Sequence, residues 1–130
     1  MKYRYYTEDD YSTLAQWWEA WGWPVVPKAA LPKTAIIISK EGVDLCACFL
    51  YKSDSCICWA EYFISNKSAP KDLRKGSIEF LLERIAIEAR EQGFTIMISS
   101  VKHRGLIKKL IASGYNPEYE KGMSNLMRVL

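Results

Sequence analysis

A chain of 130 residues, 49% of them apolar, is long enough for one domain that buries roughly two-thirds of its unfolded surface. Its formal charge of +3 at pH 7, with no run of more than two basic residues, excludes a dedicated nucleic-acid binder. No uncharged apolar stretch approaches the roughly 20 residues that span a bilayer, and the Tyr-Arg-Tyr-Tyr after Met1-Lys2 lacks the apolar core of a signal peptide. A cytoplasmic protein with no membrane partner is expected.

Residues 2–6 alternate and are rich in tyrosine, which predicts a first strand. Thr7 with Glu8, Asp9 and Asp10 behind it is a helix start: a capping hydroxyl followed by acids that favour the positive end of the helix dipole. Tyr11, Leu14, Trp17, Trp18 and Trp21 then recur at three- and four-residue spacing, up to a stop at Gly22. Trp17, Trp18, Trp21 and Trp23 fall within seven residues, more than one buried stripe holds, so Trp18 and Trp23 are expected off the face that Trp17 and Trp21 share. Pro24, Pro27 and Pro32 make 22–33 a loop. Three strands are predicted next, over 34–39, 43–51 and 55–65, joined antiparallel by the short turns at Glu41-Gly42 and Ser53-Asp54. The middle one is apolar on both parities, which requires cover on both faces of the sheet.

A helix then runs to Gln92, starting either at Pro70 or at Gly76, with Ile78, Leu81, Leu82, Ile85 and Ala89 along one stripe. A short buried strand over 94–101, a helix over 103–113 ended by Gly114, and a last strand over 122–130 complete the order β-α-β-β-β-α-β-α-β. The fold class is α/β (α+β): a mixed, mostly antiparallel twisted sheet flanked by helices, in a single domain over 1–130. The strands on either side of the long helix should be parallel neighbours that splay apart, because a helix between them is a crossover connection.

The four cysteines form two pairs at strand spacing, Cys46/Cys48 and Cys56/Cys58. Structural zinc prefers knuckles that wrap the ion, and four thiolates on one flat sheet face cannot readily make a tetrahedron. No metal is expected, and the thiols read as small buried hydrophobes.

The segment from Ser65 to Leu82 puts basic residues (Lys67, Lys71, Arg74, Lys75), a glycine and small hydroxyl side chains where an apolar strand feeds a helix. Free N–H groups at a helix start, with the macrodipole behind them, suit an anion or a phosphate-bearing cofactor; a solvated basic turn is the plain alternative. This order of elements, with its proline-broken segment and basic turn, resembles the GNAT superfamily of N-acetyltransferases over nearly the whole chain. The family carries Arg/Gln-x-x-Gly-x-Gly/Ala at this turn. Gly76 falls on its first glycine, Arg74 is two residues before that glycine instead of three, and Ile78 stands at the second small position. Gly114-Tyr115 matches a later Gly-Phe. His103 occupies the family's asparagine and Leu110 the tyrosine often proposed as general acid.

The resemblance implies an acyl-CoA-dependent N-acyltransferase, with acetyl-CoA as co-substrate and an amine of a small molecule or protein as acceptor; a homodimer is compatible with it. It assigns the coenzyme to Ile64, Asn66, Lys71, Arg74, Lys75, Gly76, Ser77, Ser100 and His103. The catalytic candidates are Glu61 and Tyr115. Glu61 lies in a strand among aromatic residues that would desolvate it toward a base's pKa, or else faces solvent. Tyr115 could protonate a departing thiolate or simply pack. His103, the sole histidine, could also only cap its helix. Short proteins of this look, with a Trp-Trp helix and a Ser-Asn turn, resemble ones encoded by bacteriophages. The alternative function is a GNAT-like binding or structural protein without catalysis.

Overall fold

Strand β3 (Val43–Tyr51) is the middle of the sheet, and six consecutive residues of it, Leu45 to Leu50, are wholly buried. Side chains alternate across a strand, so burial on both parities requires cover on both faces. The computed structural model, which describes residues 1–117 and 126–130, supplies it. The sheet order is β1 (Lys2–Tyr5), β2 (Ala35–Lys40), β3, β4 (Ile57–Ser65), β5 (Ile96–Ile98). The first three pairings are antiparallel, and β4 runs parallel to β5. Helix α1 (Tyr11–Ala20) covers one face, with Leu14, Trp17 and Trp18 packed on Ala35, Ile37, Ala47, Phe49 and Ile64. Helix α3 (Ser77–Glu91) covers the other, with Leu81, Leu82 and Ile85 on Ile36, Ile38, Cys46, Cys48, Leu50, Cys58 and Ala60. Among the described residues no helix is long and apolar enough to cross a membrane.

Several expectations shift in detail. Trp18 belongs to the buried face: it is 2% exposed and stacks on Phe49 at 6.4 Å, because positions 14, 17, 18 and 21 are neighbours on a 3.6-residue helix. Only Trp23 is substantially exposed among the four. Both proposed helix starts are used. Pro70 caps a single turn, α2 (Lys71–Arg74), and Gly76 at φ 80 caps α3. The strand expected over 94–101 shortens to β5, and helix α4 (Arg104–Ala112) follows it. Residues 118–125 of the segment holding the expected last strand lie outside the described residues, and 126–130 are exposed without strand structure. Cys46, Cys48 and Cys58 share the α3 face as buried thiols, whereas Cys56 is exposed.

Beyond its third pair with β5, strand β4 keeps only β3 as a partner among the described residues, and there it carries a bulge. The register slips between Ala47↔Ile64 and Phe49↔Glu61, so Tyr62 and Phe63 together oppose Cys48. Tyr62 absorbs the extra residue at φ 56, a conformation that bulky side chains rarely adopt. The slip exchanges the faces: Ala60 and Phe63 point to α3, while Ile64 packs on the α1 side. Glu61 falls between Ala60 and the bulge, on the strand's unpaired side of the fork between β4 and β5.

Candidate functional site

The β4–β5 ladder ends at Trp59↔Ile98. Extending its offset by two residues puts Glu61 level with Ser100, and the carboxylate spans the fork there: Glu61 Oε1 accepts the Ser100 N–H at 3.1 Å. Burial is the main cause that lifts the Glu61 carboxyl from its ordinary 4.5 to about 7, against the opposing pull of the Ser100 backbone and side-chain hydrogen bonds. A half-buried acid whose proton comes off near neutrality is what general-base catalysis requires. Tyr51 and Tyr62 pair beside it with ring centroids 6.1 Å apart.

Tyr115 reaches the same fork from the other side. It follows α4, its N–H returning to the Leu110 carbonyl, and its hydroxyl is 2.8 Å from Ser99 Oγ. Burial pushes the phenol up to about 12, and the charge of Glu61 contributes to that rise. Glu61 and Tyr115 therefore hold on to adjacent residues, Ser100 and Ser99, at the open end of β5. One group releases its proton near neutrality, and the other keeps it.

The basic junction lies past the end of β4. Asn66 is spent on building it: its N–H donates to the Leu45 carbonyl, its amide nitrogen donates to the Asp44 carbonyl at 2.9 Å, and its Oδ1 accepts the Ser68 N–H. Lys67 sits over the Trp21 ring, 4.9 Å from its centroid, and the Trp21 indole donates to the Ser65 carbonyl. Gly76 supplies the left-handed turn that aims α3, and Phe80 is the first residue whose N–H returns to it. The N–H groups of Ser77, Ile78 and Glu79 consequently have no helical partner. Ile78 does not cover them, because its side chain packs against the core on the α3 side. A Cβ at position 76 would meet only the Met1 methyl group, at 3.8 Å. Arg74 Nε is buried without a hydrogen-bond partner among the described residues, and Lys71 and Lys75 are exposed.

The remaining candidates are placed as follows. Ile64 is buried on the α1 side of β4, and Ser77 is buried at the start of α3, where its carbonyl accepts the Cys46 thiol. His103 caps α4, its Nδ1 accepting the Leu106 N–H at 3.3 Å. Among the described residues no three His, Cys, Asp or Glu side chains gather in a way that could hold a metal ion. Sequence reasoning named Tyr62 beside Glu61 but missed Tyr51, which the fold brings close to both. Tyr51 was readable as the strand partner of the Trp59 region, but nothing in the sequence marks the bulge that turns Tyr62 toward it.

Neither a protein-family model nor a curated protein sequence matches the chain. Solved structures do. A probable acetyltransferase superposes with a TM-score of 0.72 at 17% identity, over 100% of this chain and 98% of that one. The ribosomal-protein-alanine N-acetyltransferase of Brucella melitensis biovar Abortus 2308 gives 0.72 at 11% identity, over 98% of both chains. The N-acetylglutamate synthase of Neisseria gonorrhoeae, complexed with coenzyme A and N-acetyl-glutamate, gives 0.62 at 16% identity, over 80% of this chain and 26% of that one. At such identities the likeness is one of architecture, and the architecture is that of the GNAT acetyltransferases.

Proposed function

We propose that the protein is an acyl-CoA-dependent N-acyltransferase, most simply an acetyltransferase, acting in the cytoplasm on an amine of a small molecule or protein. The observation that carries this reading is the placement of the half-buried Glu61 carboxylate on the Ser100 N–H and of the Tyr115 hydroxyl on the adjacent Ser99, both at the fork of β4 and β5.

The donor end fits a phosphate-bearing coenzyme. Amides without a helical partner at the start of α3, a glycine whose Cβ position meets only the Met1 methyl, Arg74, and Lys71 and Lys75 would together hold its phosphates. Bound acyl-CoA supplies the activated acyl group as a thioester. Glu61 takes the proton that an ammonium acceptor must lose before its nitrogen can attack. Tyr115, protonated at any physiological pH, donates toward the sulfur as it leaves. Burial at the fork keeps the Glu61 pKa high.

Calorimetry with acetyl-CoA is the first test, and Arg74→Ala with Lys75→Ala should weaken binding at least about tenfold. Glu61→Gln should leave that affinity nearly unchanged, lower turnover by roughly 10²-fold or more, and abolish the rise in rate through pH 7. A loss below about threefold removes Glu61 from the mechanism. A parent protein that binds no acetyl-CoA leaves the fold serving as a non-catalytic binding module.

A further inference from the structure

A second recess lies at the far edge of the sheet. It has a volume of about 270 Å³ and is lined by Tyr6, Thr7, Glu8, Lys28, Leu31, Pro32 and Lys33. Tyr6 follows β1, three strands from β4, which at the usual strand spacing is roughly 14 Å. The recess is therefore separate from the fork that holds Glu61.

One lining residue, Tyr6, carries an unpaired polar group. Tyr6 is 8% exposed, and its hydroxyl is buried with no hydrogen-bond partner among the described residues. The Tyr6 N–H is tied to the Ala35 carbonyl, and the ring lies edge-on to Phe49 with centroids 5.2 Å apart. A buried hydroxyl without a partner costs free energy that a bound oxygen atom would recover. Burial, with Glu8 and Asp10 nearby, raises the Tyr6 pKa, so the hydroxyl keeps its proton and offers a donor.

The rim fixes the sign of the ligand. Lys28 reaches Glu8 at 3.6 Å, which leaves Lys33 as the rim charge with no ion pair among the described residues. Leu31 and Pro32 supply an apolar wall. One donor and one unmatched positive charge suit a single negative charge. A phosphate dianion would need more of both.

We infer that this recess binds a small carboxylate with a short apolar tail, whose oxygens take the Tyr6 hydroxyl and the Lys33 ammonium while the tail lies on Leu31 and Pro32. Amide NMR titration of the whole protein with acetate, butyrate and inorganic phosphate at constant ionic strength tests it. Saturable shifts at residues 6–8 and 31–33 are expected, tighter for butyrate than for acetate. Tyr6→Phe and Lys33→Gln should each weaken butyrate at least about tenfold, and Lys108→Gln, which removes an equal charge elsewhere, should not. Lys33 is exposed, so its variant tests the site even where Tyr6→Phe perturbs packing. Absence of saturation, equal affinity in Lys33→Gln, or tighter binding of phosphate than of butyrate overturns the inference.

Discussion

Glu61 makes the stability of the protein depend on pH in a direction opposite to that of most carboxylates. Its pKa is about 7 in the fold against an ordinary 4.5, so between those values the folded chain holds a proton that the unfolded chain has lost. The favourable contribution is complete below the unfolded pKa and disappears as pH rises through about 7. Glu61→Gln removes the effect. Allowing for partial exposure, that variant should be about 1–2 kcal/mol more stable than the parent in urea melts at pH 8, and equal to it at pH 4. The same difference at both values would refute the assignment. Asp10 runs the other way. Arg4, which grips it at 2.9 Å through both nitrogens, holds its carboxyl below the usual range, and that contribution is lost as pH falls.

At the scale of elements, the start of α3 depends on one backbone angle. Gly76 sits at φ 80, and a methyl group there meets nothing closer than the Met1 methyl at 3.8 Å. The loss in Gly76→Ala therefore measures conformation and not crowding: about 1–2 kcal/mol in chemical denaturation. Gly76→Asn should recover part of it, since asparagine enters the left-handed region more readily. Equal losses in the two variants would show that strain is not the cause. The sequence named both Pro70 and Gly76 as starts because each carries a local signal, and the chain uses both, one for a single turn and one for the long helix. Tyr62 carried no such signal. Tyrosine is a poor choice for φ 56, and the bulge exists because β4 must put Ala60 and Phe63 on one core while Ile64 serves the other. Trp18 was misplaced by counting tryptophans. Its position in the 3.6-residue repeat was the better guide, since it shares the stripe of Leu14 and Trp21.

For the molecule as a whole, the doubly apolar β3 foretold a covered sheet, and the helix between β4 and β5 foretold their parallel pairing. Both followed from patterns within a few residues. The candidate site was legible only in parts: Glu61 stood out by its aromatic neighbours, but its partner Ser100 is 39 residues away and became adjacent only through the register of the fork. That fork has a kinetic consequence. Among the described residues β5 pairs only with β4, through three residue pairs, whereas β3 is paired along both edges and buried on both faces. Opening of β5 should cost far less than global unfolding, so amide hydrogens of 96–98 should exchange with deuterium through a local event while those of 45–50 wait for the whole chain to open. Matching protection in the two strands would contradict this. The two sides of the fork should then live on different clocks: Glu61 is mounted on a wall expected to last as long as the fold, and the Ser99–Ser100 side should detach and return many times within that lifetime.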